Sequence, residues 1–291
     1  YPAPTTRFRW CTDRMKIRPA DTFILDRVTE FGSVVMILGA RLGESGTRDQ
    51  VLKAREIEGS EFRRHATLPN AYVYAPIEMF STDDVWTYLG QVECPWGADN
   101  AVLRGMYRMA SSDGECPLVV DTSTPSCGNS RFGCWVCTVV ESDSSMESMV
   151  DNGEEWMEPL LEFRNELASH RVPARKRELR EIKRRNGRVS RKADGTPIPG
   201  PYKFKQRKKM LTQLLELQKQ LQKSGPDPDG KLIRDEELQE IRRLWRTELQ
   251  DWEDSLPAIY EKVYKDQSPI QWSDADVTTL HIDDAKLLSE S

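Results

Sequence analysis

The sequence is poor in the features that mark secreted and membrane proteins. Among 291 residues it has only six cysteines and three histidines, and six cysteines are too few for a secreted disulfide scaffold of this size. No run approaches the roughly 18 apolar residues that a membrane helix requires, so we expect no membrane partner. The first residues, YPAPTTRFRWCTDRMKIRP, lack both the order of a signal peptide and an initiating methionine. We therefore expect a cytoplasmic protein whose chain begins inside a longer one.

The residues that are present indicate a globular chain with an uneven charge distribution. A hydrophobic content of 38% can form the core of one large domain or two ordinary ones. The net charge of −5 hides two opposite segments. Residues 141–158 carry seven acids and no Lys or Arg, whereas residues 171–209 carry sixteen Lys or Arg against three acids, a net charge of +13. The chain is acidic as a whole, but one segment of it is strongly basic.

The N-terminal third has the pattern of an α/β fold. After Pro19, ADTFILDRVTEF spaces its apolar residues as a helix does, and GSVVMILGAR indicates a buried strand. A buried strand after a helix favours a parallel sheet, whose ligands bind at the carboxyl ends of the strands. A second short strand follows in YVYAP, and Ser81 or Thr82 is expected to cap the next helix. Asp83 and Asp84 would then lie in the first turn of that helix.

Four of the six cysteines lie close together in the middle of the chain. They are Cys116, Cys127, Cys134 and Cys137, with the spacing C-x10-C-x6-C-x2-C. Two thiolates three positions apart can bind one metal ion with little strain. Zinc sites usually have two short Cys pairs or Cys with His, and four irregularly spaced thiolates also serve iron–sulfur clusters. The spacing alone leaves zinc, an iron–sulfur cluster and simple buried thiols open.

Two shorter motifs in the N-terminal third carry candidate chemistry. In CTDRMKIRP, Cys11 stands among cations that favour the nucleophilic, sulfur-carrying thiolate, and a buried structural cysteine is the alternative. In GARLGESGTR, the glycines allow close approach of the backbone, and Arg41 and Arg48, with Glu44 nearby, suit a phosphate. A solvated loop is the alternative for this second motif.

The basic segment 171–209 is the candidate surface for a polyanion. Its Asn-Gly, Asp-Gly and Pro-Gly-Pro signals predict a hairpin or loop over NGRVSRKADGTPIPGPYKFKQRKK. Cations interleaved with Tyr202 and Phe204 favour contacts with the backbone of a nucleic acid, and a solvated helix and loop is the alternative. The residues expected to contact DNA are Arg184, Arg185, Arg188, Arg191, Lys192, Lys203, Lys205, Arg207, Lys208 and Lys209.

The remaining C-terminal sequence predicts a helical region. WMEPLLEFRNELASHR and MLTQLLELQKQLQ have the apolar spacing of helices. RDEELQEIRRLWRTELQDWEDSLPAIYEKVY indicates a further amphipathic helix, and Asp235 is expected to be its N-terminal cap.

With these motifs in place, the chain resembles the phosphoadenylylsulfate (PAPS) reductase-like family. CTDRMKIRP, GARLGESGTR and APIEMFSTDDVWTYL are similar to three successive motifs of that family, in its usual order. Within the family, CPLVVDTSTPSCGNSRFGCWVC is similar to the four-cysteine signature of the DNA phosphorothioation sulfurtransferases of the DndC/SspD type. The resemblance covers nearly the whole chain, including its basic and helical C-terminal region.

The resemblance implies an α/β, adenine-nucleotide α-hydrolase-like fold with a parallel sheet, and an enzyme that splits ATP into AMP and pyrophosphate. It implies a [4Fe-4S] cluster on the four clustered cysteines, a nucleotide or phosphate site at Arg41, Glu44 and Arg48, and a sulfur relay at Cys11. The pathway would replace a non-bridging phosphate oxygen of DNA with sulfur. The implied partners are DNA, a cysteine desulfurase as sulfur donor, and other proteins of the phosphorothioation operon.

The resemblance also implies a division of the chain into three segments. Residues 1–112 would be the C-terminal part of the α/β domain, residues 113–140 the iron–sulfur segment, and residues 141–291 a helical region with the DNA-contacting tract at 171–209. The family's ATP pyrophosphatase loop, S-G-G-x-D-S, is absent from the sequence. We expect it upstream of Tyr1, so that the chain by itself would not bind ATP.

Two other functions fit part of the pattern. A sulfonucleotide (PAPS or APS) reductase shares the implied fold, but it leaves the basic segment and the helical tail without a role. A zinc-stabilised nucleic-acid-binding module without catalysis uses the cysteines and the basic segment, and it predicts zinc in place of iron.

Overall fold

The structure, a computed structural model, describes residues 2–6, 8–43, 46–110, 132–265 and 270–273. The chain divides into two compact units. The N-terminal unit comprises residues 4–155, and the C-terminal unit comprises residues 156–291 together with residues 1–3. The predicted boundaries at residues 112 and 140 stay a prediction. None of the helices in the described ranges has the length and apolar character needed to cross a membrane.

The N-terminal unit is mixed α/β. Its helices and strands, in chain order, are α1 (Trp10–Thr12), a π-helical turn (Asp13–Ile17), α2 (Arg18–Phe31), β1 (Val34–Ile37), α3 (Gly46–Lys53), β2 (Arg63–Arg64), β3 (Ala71–Tyr74), α4 (Thr82–Gln91), α5 (Asn100–Met109) and α6 (Ser144–Asp151). A short 3-10 turn, Glu155–Met157, follows at the boundary of the units. The predicted helix after Pro19 and both predicted strands are confirmed.

The sheet has the strand order β1-β3-β2. Strand β1 pairs with β3 in parallel, with Val34 opposite Ala71, as the sequence predicts. Strand β2 pairs with β3 in antiparallel fashion, so the expectation of a wholly parallel sheet is wrong. The reason is the length of the connection, because the few residues between Arg64 and Ala71 are too short for the crossover that a parallel pair requires.

The burial expected for strand β1 is also wrong. Val35 is exposed, and Ile37 is 72% exposed, while Val34 and Met36 are half-buried. As an edge strand, β1 has β3 as its one neighbour in the sheet, and one of its faces has no cover within the described part of the chain. The central strand β3 is the buried one, with Ala71 and Val73 in the core.

Helix α4 begins as the sequence predicts, and Ser81 is its cap. The Ser81 hydroxyl accepts a hydrogen bond from the Asp84 amide at 3.1 Å, and the Asp84 carboxylate accepts one from the Ser81 amide at 2.8 Å. The hydrogen bond from the Ser81 hydroxyl lowers the pKa of the Asp84 carboxyl below its ordinary value. This reciprocal pair fixes the start of α4, where Thr82 enters the candidate site.

Helices form the C-terminal unit over its described residues. They are α7 (Glu158–Ser169), α8 (Pro173–Leu179), α9 (Phe204–Ser224), α10 (Asp235–Leu249) and α11 (Ser255–Tyr264). Apolar side chains from α9, α10, α11 and the loop before α10 meet in one core, formed by Leu211, Leu215, Ile233, Leu238, Trp245, Leu256, Tyr260, Val263 and Tyr264. The core explains why these amphipathic sequences are helical, since each buries one apolar face.

Three expectations for this unit require correction. The predicted basic hairpin or loop ends earlier, because helix α9 begins at Phe204. The long amphipathic helix is two helices, α10 and α11, interrupted where Gln250 and Asp254 adopt left-handed backbone conformations, with φ of 56° and 50°. Asp235 is the first helical residue of α10 and not its cap, and the Glu237 carboxylate instead accepts a hydrogen bond from the Arg234 amide at 2.8 Å.

A buried histidine links helix α7 to the start of α9. The His170 Nδ1 lies 3.2 Å from the Tyr202 hydroxyl, and its Nε2 lies 3.5 Å from a Glu166 oxygen, beyond a good hydrogen bond. Glu166 is bound instead by Arg175, at 2.7 and 3.0 Å. Burial lowers the pKa of His170 below 6.5, outweighing the opposite effect of Glu166. The pKa of Glu166 is lowered by its hydrogen bond to Arg175.

These shifts predict how stability depends on pH. Below pH about 6.5 the unfolded chain binds a proton at His170 more readily than the folded chain does. The free energy of unfolding should therefore decrease as the pH is lowered. The loss is complete below the folded pKa of His170. His170→Gln should reduce this dependence. The measurement is urea unfolding between pH 5 and 7, and equal slopes for wild type and His170→Gln would contradict the assignment.

Candidate functional site

A tight turn in the N-terminal unit carries two of the predicted metal ligands. The Cys137 amide donates a hydrogen bond to the Cys134 carbonyl at 2.8 Å. Cys134 is exposed and Cys137 is half-buried. A turn of this kind brings the two cysteines of a C-x2-C pair close enough to serve one metal centre. The next residue, Thr138, is fully buried, and its hydroxyl donates a hydrogen bond to the Pro4 carbonyl at 2.8 Å.

Aromatic rings attach the other end of the cysteine turn to helices α5 and α4. The ring of Phe132 meets that of Tyr107 edge to face, with centroids 4.8 Å apart. Tyr107 in turn meets the buried ring of Trp86 at 5.3 Å. Such pairs contribute about 0.5–1.5 kcal/mol each beyond the burial of apolar area. The turn, which has no regular secondary structure, is thus held at both ends.

Cys11 lies in the first helix, a few residues after Pro4 in the sequence. Between Pro4 and this helix the chain turns back on itself, because the amides and carbonyls of Thr5 and Phe8 bond to each other at 3.0 and 3.2 Å. Cys11 is half-buried in α1, and the π-helical turn Asp13–Ile17 follows directly. π-Helical turns within helices are rare and are frequent at functional sites. An ion pair of 2.8 Å between Asp13 and Arg18 spans this turn.

Arg41 lies in the loop that follows β1, at the carboxyl end of the strand. Its guanidinium donates a hydrogen bond to the Thr82 hydroxyl at 3.0 Å, and Thr82 is the first residue of α4. The loop also contacts the segment that comes after β3, because the Leu42 amide donates a hydrogen bond to the Glu78 carbonyl at 2.8 Å. The amide of Gly43 donates to the Asp49 carboxylate of α3 at 3.2 Å. The described residues of this loop, 38–43, are therefore held by hydrogen bonds to α3, to α4 and to the chain after β3.

A largely buried ion pair supports this loop, and sequence reasoning missed it. Arg63 of β2 contacts the Glu78 carboxylate at 2.6 Å, and its Nε donates to the Leu52 carbonyl at 3.2 Å. Glu78 thereby connects the loop after β1 to β2 and α3. Nothing local marks either residue, since both occur in charged stretches that look solvent-exposed. Their pairing depends on the antiparallel placement of β2, which the sequence also did not predict.

The basic loop, residues 181–203, has the turns that its sequence predicts. Gly187 of Asn-Gly and Gly195 of Asp-Gly have positive φ of 74° and 79°. Isolated bridges join Arg180 to Tyr202 and Arg191 to Pro197, so the loop is closed at its base and again near its tip. Gly200 is required at its position, because a Cβ there would collide with the Lys183 carbonyl.

The predicted DNA-contacting residues differ in their surroundings. Arg207 and Lys208 are half-buried: Arg207 Nε donates to the Tyr202 carbonyl at 3.1 Å, and Lys208 Nζ donates to the Ser255 hydroxyl at 2.5 Å. Burial lowers the pKa of the Arg207 guanidinium. The exposed members of the set are Arg184, Arg185, Arg188, Arg191, Lys192, Lys203, Lys205 and Lys209.

The aromatic residues of the basic segment serve the core of the C-terminal unit. Tyr202 is buried, and Phe204 packs edge to face against Trp245 with centroids 5.1 Å apart. Neither ring therefore has the free face that stacking on a base requires. The interleaving of aromatics and cations in the sequence does not correspond to an interleaved surface.

Some predicted site residues lie outside the described part of the chain. These are Glu44, Cys116 and Cys127, and of Arg48 only the backbone is described, as part of α3. Among the described residues, no group of three or more His, Cys, Asp or Glu side chains is placed to hold a metal ion. Two of the four predicted cluster ligands belong to that described part, at Cys134 and Cys137.

No protein-family model, curated protein or solved structure matches the chain significantly. The case for a function therefore depends on the motifs and on the contacts that connect them. In the N-terminal unit those contacts run from Arg41 through Thr82 of α4, and from Trp86 of the same helix through Tyr107 to the cysteine turn.

The contact between Thr138 and Pro4 yields a prediction about stability. Thr138→Val keeps the shape of the side chain but leaves the Pro4 carbonyl facing a methyl group, which should lower the free energy of unfolding by about 1–3 kcal/mol. Thr29→Val is the control, because the Thr29 hydroxyl bonds to the Leu25 carbonyl on the exposed face of α2. Its change should stay within about 0.5 kcal/mol. Equal losses in urea unfolding would show that the Thr138 hydroxyl has no special role.

Proposed function

We propose that the protein is an ATP-dependent sulfurtransferase of the PAPS reductase-like family that inserts sulfur into the DNA backbone during phosphorothioate modification. Three motifs in the order of that family and the four-cysteine pattern support the proposal. The exposed cations of the basic loop supply contacts for a phosphate backbone. Under this proposal the protein acts in the cytoplasm, with a cysteine desulfurase as sulfur donor and other proteins of the phosphorothioation operon as partners.

The observation that carries the proposal is the hydrogen bond between Thr138 and Pro4. Thr138 directly follows Cys137, and Pro4 begins the folded-back segment that leads into Cys11. The bond therefore links the cysteine turn to the N-terminal segment whose chain continues into the helix of Cys11. A sulfurtransferase needs its cluster and its sulfur relay in one site, and this link supports that arrangement, whereas a cysteine cluster that only stabilises a binding module has no need of it.

In the proposed reaction, ATP adenylates a non-bridging phosphoryl oxygen of DNA and pyrophosphate is released. AMP is then a good leaving group when sulfur takes the place of that oxygen. Arg41, Glu44 and Arg48 would bind nucleotide or phosphate, and Arg41 is already oriented by Thr82. Cys11 would carry the sulfur as a persulfide, whose terminal sulfur attacks the adenylated phosphorus and displaces AMP. A thiol reductant would then cleave the S–S bond, which releases the phosphorothioate and the Cys11 thiolate while the reductant is oxidised to a disulfide. Cys116, Cys127, Cys134 and Cys137 would hold a [4Fe-4S] cluster, which supplies redox chemistry at thiolate-bound iron when it is present.

A zinc-stabilised nucleic-acid-binding module is the second candidate function. It is favoured by one feature, the Cys134–Cys137 turn, which suits zinc as well as iron. It gives no role to Cys11 or to the contact between Arg41 and Thr82. A sulfonucleotide reductase gives these a role, but it leaves the basic loop unexplained.

Metal content and sulfur transfer separate these candidates. Protein purified without air should contain about four irons and four sulfides per chain, and Cys134→Ser and Cys137→Ser should lose most of both. Cys11→Ser should keep the iron but abolish phosphorothioate formation in cells that carry the whole pathway. Cys94→Ser is the matched control, because Cys94 is also half-buried in the N-terminal unit and should be dispensable for both.

Each result has a distinct consequence. A colourless protein loaded with zinc would favour the binding module over the sulfurtransferase. Normal phosphorothioate formation by Cys11→Ser would remove the relay from the proposal while leaving the cluster in place.

Binding to DNA tests the basic loop. Arg188→Gln, Lys192→Gln and Lys203→Gln, combined, should weaken binding to duplex DNA. They should also lower the slope of log affinity against log salt by about 1 for each phosphate that the variant no longer neutralises. The measurement is fluorescence anisotropy at several salt concentrations.

The control for this experiment removes equal charge from elsewhere in the same unit. Lys223, Lys262 and Lys265 are exposed and lie outside the basic loop. Their combined change to Gln should leave the salt slope near that of wild type. If both triple variants show the same decrease in affinity and slope, binding depends on net charge alone and the loop is not the DNA surface.

A further inference from the structure

Trp252 is the most exposed large apolar side chain among the described residues. It is 87% exposed, although it lies between two helices whose other large side chains pack into the core of the C-terminal unit. A tryptophan ring in water forgoes the stabilisation of burial and invites unwanted association. The ring is therefore available to a partner that can cover it.

The turn that carries Trp252 is ordered by a dense set of hydrogen bonds. The buried Asp251 carboxylate accepts bonds from the Ser255 amide at 2.8 Å and the Ser255 hydroxyl at 2.6 Å. The Asp251 amide donates to the Trp245 carbonyl at 3.1 Å. The left-handed conformations of Gln250 and Asp254 occur on either side of the ring. Trp252 is therefore presented on a fixed support, which lowers the entropic cost of using it in binding.

The acids around Trp252 are largely neutralised by cations of the same unit. Asp254 forms an ion pair with Arg242, with Nε at 2.9 Å from the carboxylate. Asp251 lies 3.7 Å from Lys208 Nζ. Glu253 remains as an exposed acid beside the ring. A phosphate is thus disfavoured directly at Trp252, whereas an uncharged aromatic group is not.

The basic loop reaches the same end of helix α10. Arg185 forms an ion pair of 2.9 Å with Glu248, which precedes Trp252 by four residues. Arg184 and Arg188, exposed residues of the loop, flank Arg185 in the sequence. The unit thus carries exposed cations for a phosphate backbone and an exposed aromatic ring, and the Arg185–Glu248 pair connects the basic loop to the end of α10 after which Trp252 follows. Sequence-tolerant binding of single-stranded nucleic acid uses this combination, with phosphates on cations and bases stacked on aromatic rings.

We propose that Trp252 stacks on an unpaired base of a nucleic acid strand whose phosphates lie on the basic loop. This inference rests on the DNA contact of the proposed function and adds a preference for strands with accessible bases. Stacking needs only the face of a base, so the preference is for unpaired structure and not for a sequence. Tyr202 and Phe204 cannot serve in this way, because they pack inside the unit.

The test compares two tryptophan variants of the full chain on two nucleic acids. Trp252→Ala should weaken binding to a fluorescein-labelled single strand about tenfold, since removal of one stacked base has this order of effect. Its binding to a fully paired duplex and its salt slope should be unchanged. Trp252→Phe should keep most of the affinity for the single strand. Trp96→Ala is the matched control, because Trp96 is 81% exposed but belongs to the N-terminal unit.

The outcomes distinguish this inference from the proposed function. If Trp252→Ala binds the single strand as wild type does, or loses equal affinity for both nucleic acids, the stacking role is overturned and the DNA contact of the basic loop stands. If wild type binds neither nucleic acid at low salt, both the stacking role and the DNA contact are overturned. An unchanged thermal midpoint for Trp252→Ala confirms that any weaker binding arises at the surface and not from unfolding.

Discussion

The position of the cysteine turn in the N-terminal unit depends on the hydrogen bond that the buried Thr138 hydroxyl donates to the Pro4 carbonyl. It joins the cysteine turn to Pro4, 134 positions away in the chain. At the other end of the turn, the ring of Phe132 rests on Tyr107. One polar and one aromatic attachment thus give a fixed position to a turn that has no secondary structure of its own. This is how an irregular, glycine-containing segment can hold Cys134 and Cys137 in a defined turn.

In the C-terminal unit, acidic side chains fix the position of an irregular turn. Between α10 and α11 the chain turns through a short segment rich in acids, which would repel one another if they were unpaired. The Asp251 carboxylate accepts a hydrogen bond from Ser255, and the Asp254 carboxylate forms an ion pair with Arg242. These interactions fix the turn. Trp252, the large apolar side chain of the same turn, faces solvent.

The helices and strands whose apolar residues recur at a regular spacing were predictable from the sequence. Helix α2, strands β1 and β3, and the Ser81 cap follow from apolar spacing and from a side chain that bonds to its own helix. The burial of β1 was not predictable, because it depends on which strands lie beside it. The end of α10 at Gln250 was missed because a helical period continues through it in the sequence. Likewise, nothing near Thr138 indicates a partner at Pro4.

Fewer cations of the basic segment are available to a polyanion than the sequence count suggests. Arg180 donates to the carbonyls of Gly200 and Pro199 at 2.6 and 2.7 Å, and Arg207 and Lys208 are held inside the unit. Half-buried cations of the segment also lie close enough to repel one another. Burial and the nearby charges of Arg180, Lys192 and Arg171 lower the pKa of Lys176. The phosphate backbone of the proposed DNA partner would supply the negative charge that these cations lack within the unit.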